Sequence, residues 1–146
     1  MNSPIPSPLA EPQFWEGRIC LTYVFSGLFV LDGKELTPQI MKSDMRELYL
    51  MTMELRKRKW LSRGMALYII VPIYTSTSFE ESTVDWILSN RLQRWGLLVK
   101  PLLYDTKENL VIFKEAAQND TLLFYDHIDS LFQKGISIVK SLNQNI

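Results

Sequence analysis

The side chains able to do acid–base, nucleophilic or metal chemistry are sparse in this chain of 146 residues. It has one histidine, His127, close to Asp126 and Asp129, and one cysteine, Cys20, within an apolar run. Metal and acid–base sites need several convergent groups, which one histidine beside two carboxylates does not supply. With His127 interpreted as structural, no serine–histidine or cysteine–histidine pair has support. The sequence therefore predicts no catalytic residue, no metal site and no cofactor.

Two further features bear on ligand binding. The turn Thr75–Ser78 joins a predicted strand end to a predicted helix start, where open α/β sheets bind anions through backbone amides. It has no glycine to admit a phosphate, and Glu80 and Glu81 would repel one, so a plain capped turn is favoured. Arg91 falls on an apolar helix stripe, where stacking on Trp95 is favoured over ligand binding. An enzyme has only this turn and Arg91 in its favour.

A basic segment closes the first long predicted helix and suggests an alternative function, nucleic-acid binding. Its cations, with one from the end of the next predicted helix, are Arg56, Lys57, Arg58, Lys59, Arg63 and Arg94. Cations contact phosphates, and Trp60 offers a ring on which a base could stack. Cations at a helix C-terminus also complement the helix dipole, which is the interpretation we favour. Lys+Arg and Asp+Glu number 16 each, so no global positive field attracts nucleic acid.

The elements that position these residues are clearest in the middle of the chain. Met65–Tyr74 is an uncharged, β-branched run typical of a strand covered on both faces. Because Pro72 cannot donate to a strand ladder, we expect that end to lie at an edge or beyond the last paired residue. Leu97–Tyr104 is a second strand of this kind. With a helix between them, the two strands predict one right-handed parallel crossover.

The connecting helix has a predicted start, end and apolar face. Ser78 stands three residues before Glu81, which is the spacing of a capping box, and Gly96 ends the helix. The positions expected to face the sheet are Val84, Ile87, Leu88, Leu92 and Trp95. Trp86 projects from the opposite side, either as an anchor for a partner or as a residue covered by the N-terminal arm.

The first long helix carries two apolar stripes. Thr37 caps it and Pro38 takes its first position, and we expect it to run to about Trp60. One stripe comprises Met41, Met45, Leu48, Thr52 and Leu55, and the other Tyr49, Met53 and Trp60, with Leu50 beyond. A surface helix needs one apolar face. Either the helix is sandwiched between the sheet and another element, which we favour, or its second face contacts a partner.

The ends of the chain complete the fold prediction. Residues 1–13 form a proline-rich arm, extended or disordered, and residues 14–146 one globular domain. The stretch 14–32 is a hairpin turning at Ser26-Gly27, with one long bent strand as the alternative. Leu110–Phe113 is a short strand antiparallel to Leu97–Tyr104. The last helix has Gly135 in the middle of its apolar stripe, which predicts close approach of another backbone there.

These patterns together predict an α/β or mixed α+β domain with four to five strands and three helices. The predicted function is a non-enzymatic protein-interaction or regulatory module, binding a protein partner or itself. The surfaces expected to dock are Tyr49, Met53, Trp60 and Trp86, with Arg56 at the rim. We expect no signal peptide and no membrane-spanning segment, and a single cysteine favours a cytoplasmic location.

Overall fold

One mixed sheet and three helices make up the part of the chain that the computed structural model describes, residues 8–19, 22–58, 66–89, 93–94, 97–113 and 125–144. In chain order the elements are β1 (Gln13–Ile19), β2 (Thr22–Asp32), α1 (Pro38–Arg58), β3 (Ala66–Ser76), α2 (Glu81–Ser89), β4 (Gln93–Arg94), β5 (Leu97–Val99), β6 (Leu102–Asp105), β7 (Leu110–Phe113) and α3 (Tyr125–Gln144). The predicted class, a mixed α/β domain with a single sheet and three helices, is confirmed. No helix of the described part is long and apolar enough to cross a membrane.

The sheet is organised around β3. Strand β2 runs parallel to it on one side, and β5 and β6 run parallel to it on the other. β1 pairs antiparallel with β2 at one end of the sheet, and β4 and β7 pair antiparallel with β5 and β6 at the other. The chain therefore makes the predicted crossover from β3 through α2 to β5, and also a second one from β2 through α1 to β3. Both crossovers step in the same direction, so with the same hand they place both helices on one face.

Two prolines stand opposite each other inside the sheet. Pro72 is paired with Phe29 in the middle of β3, so the prediction that this end of the strand lies at an edge or beyond the last paired residue is wrong. The reason is that the strand on the other side of β3 is interrupted opposite Pro72. β5 pairs with Tyr68–Ile70 and β6 with Ile73–Ser76 in one continuous register, which puts Pro101 opposite Pro72. The predicted strand Leu97–Tyr104 is therefore split into β5 and β6 on either side of Lys100 and Pro101.

Two apolar layers cover the two faces of the sheet. On one face, Met41 and Leu48 of α1 and Ile87 of α2 pack against Phe29, Leu31, Tyr68, Ile70, Tyr74, Leu97, Val99 and Leu103. On the other, Ile128, Leu131, Phe132 and Val139 of α3 pack against Val24, Leu28, Val30, Ile69, Val71, Ile73, Leu98, Leu102 and Tyr104. The central strands are thus buried on both faces, as their uncharged sequences indicated.

The N-terminal hairpin turns earlier than predicted. β1 pairs with β2 from Gln13↔Leu28 to Ile19↔Thr22, so the hairpin does not turn at Ser26-Gly27, and the two residues between the paired strands lie outside the described residues. Ser26-Gly27 lies within the continuous strand β2. Contacts with other elements explain a serine and a glycine at these two positions without a turn. Ser26 finds a side-chain partner on α3, and Gly27 leaves room for the rings of Phe14 and Phe29. Before β1, Pro8 pairs with Leu31 and the Leu9 amide donates to the Val30 carbonyl at 2.9 Å.

Helix α2 is shorter and differently oriented than predicted. It begins at Glu81, with the Glu80 carbonyl accepting from the Val84 amide at 3.1 Å, so Glu80 takes the capping position expected for Ser78. Its last described residue is Ser89, and β4 follows at residues 93–94. Its fully buried side chains are Thr83 and Ile87, and the Thr83 hydroxyl donates to the Leu36 carbonyl at 2.8 Å.

Helices α1 and α3 match their sequence patterns more closely. The predicted cap of α1 is confirmed, since the Thr37 hydroxyl oxygen accepts from the Ile40 amide at 3.2 Å. On α3, Gly135 does face the sheet at close range, as the stripe indicated. The neighbour is the side chain of Ile73, with Leu28 beside it, and not the backbone that we expected.

Candidate functional site

The structure brings together one pair that the sequence analysis rejected. Ser26 Oγ lies 2.7 Å from His127 Nε2, so a hydrogen bond joins β2 to the first turn of α3. Burial lowers the pKa of His127, and the positive charge of Lys134 lowers it further. The imidazole is therefore neutral at pH 7, and one of the two atoms donates while the other accepts. No sequence signal could have shown this pair, because its members are 101 residues apart.

A serine–histidine hydrogen bond is the first element of a nucleophilic site, but its surroundings here point to a structural role. Ser26 is only 1% exposed, so its hydroxyl is not within reach of a substrate. Its backbone pairs with Trp15 on one side and Ile69 on the other, so its own amide belongs to the sheet and is not available as an oxyanion donor. Among the described residues no carboxylate is seen to orient the imidazole, and the pair anchors α3 on the sheet.

A shallow groove runs beside this pair, between the start of β1 and α3. Its volume is about 450 Å³, and its lining residues are Gln13, Ser130, Gln133, Lys134, Ser137 and Ile138. Lys134 Nζ lies 4.6 Å from the ring centre of Trp15, a cation–π contact that holds the lysine against β1. Within the described part of the chain, no buried side-chain nitrogen or oxygen lacks a hydrogen-bond partner. The groove therefore has no buried polar group waiting for a ligand.

The second polar pair in the core joins α1 to β3. The Tyr74 hydroxyl donates to Asp44 Oδ2 at 2.9 Å, and the Tyr74 side chain is fully buried. Burial raises the pKa of the Asp44 carboxyl, while the bond from Tyr74 opposes that rise. Burial, followed by the negative charge of Asp44, also raises the pKa of Tyr74, so this tyrosine stays protonated and remains a donor. The geometry fits a buried structural bond.

The carboxyl ends of the parallel strands, where open α/β sheets hold ligands, are occupied by local turns. Asp32 accepts from the Lys34 amide at 2.9 Å, and Asp105 accepts from the Lys107 and Glu108 amides at 2.9 and 3.0 Å. In the Thr75–Ser78 turn, the Ser78 amide donates to Ser76 Oγ at 3.3 Å. The crossovers all step in one direction, so no switch point opens a crevice at this edge. The described residues contain no group of three or more metal-ligand side chains.

The predicted docking residues on the helices are only partly described. Tyr49 is half-buried and packs against the core beneath α1, and Trp86 does the same from α2. We expected Trp86 to project away from the sheet and Leu88 to face it, but Leu88 is 46% exposed. The reason is the orientation of the helix: Thr83 and Ile87 form its inner line, and Trp86 and Leu88 flank that line on opposite sides.

The side chains of the remaining predicted docking and nucleic-acid-binding residues are not described by the structure. Met53, Arg56, Lys57 and Arg58 lie on α1, and Arg94 lies on β4, but the structure describes only their backbone. Lys59, Trp60, Arg63 and Arg91 lie outside the described residues. The predicted basic surface and half of the predicted helix surface therefore remain predictions.

A surface that the sequence analysis did not consider lies along β1. This strand is the last in the sheet on its side, so its outer edge has no paired strand among the described residues. At its start, Phe14 is 40% exposed, and its ring centre lies 5.6 Å from that of Phe25 and 5.7 Å from that of Phe29. The Tyr23 hydroxyl donates a hydrogen bond to Glu16 on the same face. Burial, the bond and the charge of Glu16 raise the pKa of Tyr23 to about 12.

The alternation of β1 could have revealed this surface in the sequence. Phe14, Glu16 and Arg18 point to one face, and Trp15 and Ile19 to the other, where they pack on the α3 side of the core. What the sequence lacks is the strand order, which decides that β1 is an edge. Comparisons with protein-family models, curated proteins and solved structures found no match to this chain.

Proposed function

We propose that this chain is a non-enzymatic protein-interaction module that docks through the outer edge of β1 and the ring of Phe14. The observation that supports this is the exposure of Phe14, 40% of its surface, on an aromatic base formed by Phe25 and Phe29. Helices α1 and α2 cover this face over the central strands, and no β1 side chain belongs to their core cluster. The aromatic group is thus left at the margin of the covered area.

The packing around Phe14 favours a rigid anchor. Gly27 is its partner across the ladder, and a Cβ built there would lie 3.2 Å from the Phe14 ring and 2.9 Å from the Phe29 ring. The absence of that side chain lets the Phe14 ring lie over β2. A ring already held in place loses little conformational entropy on binding, which is why aromatic residues dominate interface energetics.

The strand edge supplies the second half of such a surface. An edge strand presents backbone donors and acceptors at regular spacing, and a partner strand can add to it by β-augmentation. β1 has seven residues and contains no proline, so every residue keeps its amide. Its residues at positions 13, 14, 16, 17 and 18 are exposed. Backbone bonds would provide affinity, and Phe14 would provide a side-chain anchor.

The test is a binding measurement with a matched pair of variants. Phe14→Ala should abolish association of the full chain with its protein partner. Leu110→Ala should leave that association intact, because Leu110 is a 52% exposed residue on β7 at the far end of the sheet. Circular dichroism and urea midpoints would show that both variants remain folded. Association of Phe14→Ala at wild-type strength would remove β1 as the docking surface.

The helix version of the same function has its own variants. Leu50 and Leu88 are 49% and 46% exposed on α1 and α2, so charged substitutions there disturb a helix surface without entering the core. Tyr49 and Trp86 are less suitable, because both pack on the core and their loss would also lower stability. Association lost in Leu50→Glu and Leu88→Glu but retained in Phe14→Ala would assign docking to the helices, as the sequence predicted.

A further inference from the structure

We propose that the partner at the β1 edge is a second copy of this chain, paired antiparallel through β1 about a two-fold axis at Gly17. The inference rests on the proposed docking role of β1 and adds to it the identity of the partner and the register of pairing. The dimer would contain one continuous sheet, with the two β1 strands at its centre. Such an isologous contact is the commonest arrangement in homo-oligomers.

The charges of β1 are what select a second copy as the partner. Glu16 and Arg18 are exposed and point to the same face, on either side of Gly17. One charge on an edge strand opposes pairing with most other strands, and is a common protection against aggregation. Two opposite charges two residues apart do not oppose pairing with a second copy. When the β1 strand of that copy runs antiparallel, each charge meets its opposite. The pattern is self-complementary.

Only one register satisfies both charges. Residues directly opposite in an antiparallel pair point to the same face, so the two-fold axis must coincide with a residue position. With the axis at Gly17, Glu16 stands opposite Arg18 of the second copy, and this occurs twice. With the axis at Glu16 or at Arg18, like charges would stand opposite each other. On the other face, the Gly17 register sets Trp15 opposite Ile19 of the second copy, which extends the apolar side.

The local structure favours the same register. A Cβ built on Gly17 meets nothing within 4 Å, so the axis position is open and free of a side chain. Tyr23 donates its hydroxyl to Glu16, and a carboxylate has about four acceptor sites, so an incoming guanidinium can bind in addition to the contacts that Glu16 makes within the chain. Phe14 lies on the same face, diagonal to Arg18 of the second copy and within reach of a cation–π contact.

The experiment reverses the charges one at a time. The purified full chain is studied by sedimentation velocity up to about 500 µM, because a small interface of this kind associates weakly. Glu16→Arg and Arg18→Glu each replace two attractive pairs by two repulsive ones, and each should raise the dimer Kd at least about tenfold. Lys42 is exposed on α1, and Lys42→Glu changes the net charge by the same amount as Arg18→Glu. This control should leave the dimer Kd unchanged.

Mixing the two variants gives the decisive measurement. An equimolar mixture of Glu16→Arg and Arg18→Glu restores opposite charges at both positions, so it should form a heterodimer where each variant alone is monomeric. Failure of the mixture to associate, or a wild-type chain that stays monomeric, would overturn the two-fold pairing. The wild-type chain could be monomeric while Phe14→Ala abolishes its binding to a different protein. In that case the docking role of β1 stands and only the second copy is refuted. If Phe14→Ala loses no binding, both fail.

Discussion

Gly135 offers a strong test of how α3 packs on the sheet. It lies in the middle of that helix, where replacement by alanine gains up to about 1 kcal/mol from helix propensity. The new Cβ, however, would overlap with Cδ1 of Ile73 and lie 3.2 Å from Cδ1 of Leu28. Both side chains are no more than 1% exposed, so neither has free space to enter. Overpacking typically costs about 1–3 kcal/mol, so we expect Gly135→Ala to destabilise the domain by about 1 kcal/mol net.

The cause can be isolated with a second substitution. Ile73→Val removes the overlapping methyl group and alone should cost about 0.5–1.5 kcal/mol. In the Gly135→Ala background, that cost should vanish or change sign, giving a coupling energy of about 1–3 kcal/mol in urea unfolding followed by tryptophan fluorescence. Ser137→Ala, an exposed change on the same helix, should be additive with Ile73→Val. Stabilisation by Gly135→Ala, or additivity within about 0.5 kcal/mol, would refute the contact.

The two polar pairs of the core lead to further predictions. His127 titrates near 6.5 when unfolded and below that when folded, so the unfolded chain binds more protons in between. Stability should therefore fall as pH drops below about 6.5, and His127→Gln should flatten that part of the profile in urea titrations; an unchanged slope contradicts the assignment. Asp44→Asn keeps an acceptor for Tyr74 and removes a half-buried charge, so it should be at least as stable at pH 7. Asp44→Leu leaves the buried Tyr74 hydroxyl unpaired and should lower the free energy of unfolding by about 1–3 kcal/mol in the same assay. Equal stability of Asp44→Asn and Asp44→Leu would contradict that.

The sequence was informative where local signals and burial agree. The β3 run is apolar on both faces because helices cover both, and Thr37 caps α1 through a bond to an amide three residues away. Such features depend on neighbours in the sequence or on an average environment. Pro72 shows the limit. Its place in a central strand depends on Pro101 standing opposite it, which no local pattern of β3 contains.

The candidate sites depend on registers, and for that reason they were the least predictable part. Ser26 meets His127 only because β2 passes beneath the start of α3, and a turn residue and a solitary histidine gave no sign of each other. The orientation of α2 likewise depends on the strands it spans, which turned Leu88 outward and Trp86 toward the core.

The importance of β1 follows from the same reasoning taken one step further. Phe14, Glu16 and Arg18 are unremarkable in the sequence, since alternating polar and apolar residues occur in most half-buried strands. Their meaning changes once β1 is the last strand of the sheet, because its outer backbone donors and acceptors have no paired strand among the described residues, and these side chains flank that open edge. A strand order that ends on a proline-free strand with one acidic and one basic residue around Gly17 leaves an edge that pairs either with its own copy or with a different protein. The charge-reversal mixture separates these two outcomes, since only a strand paired with itself converts two repulsive variants into one attractive pair.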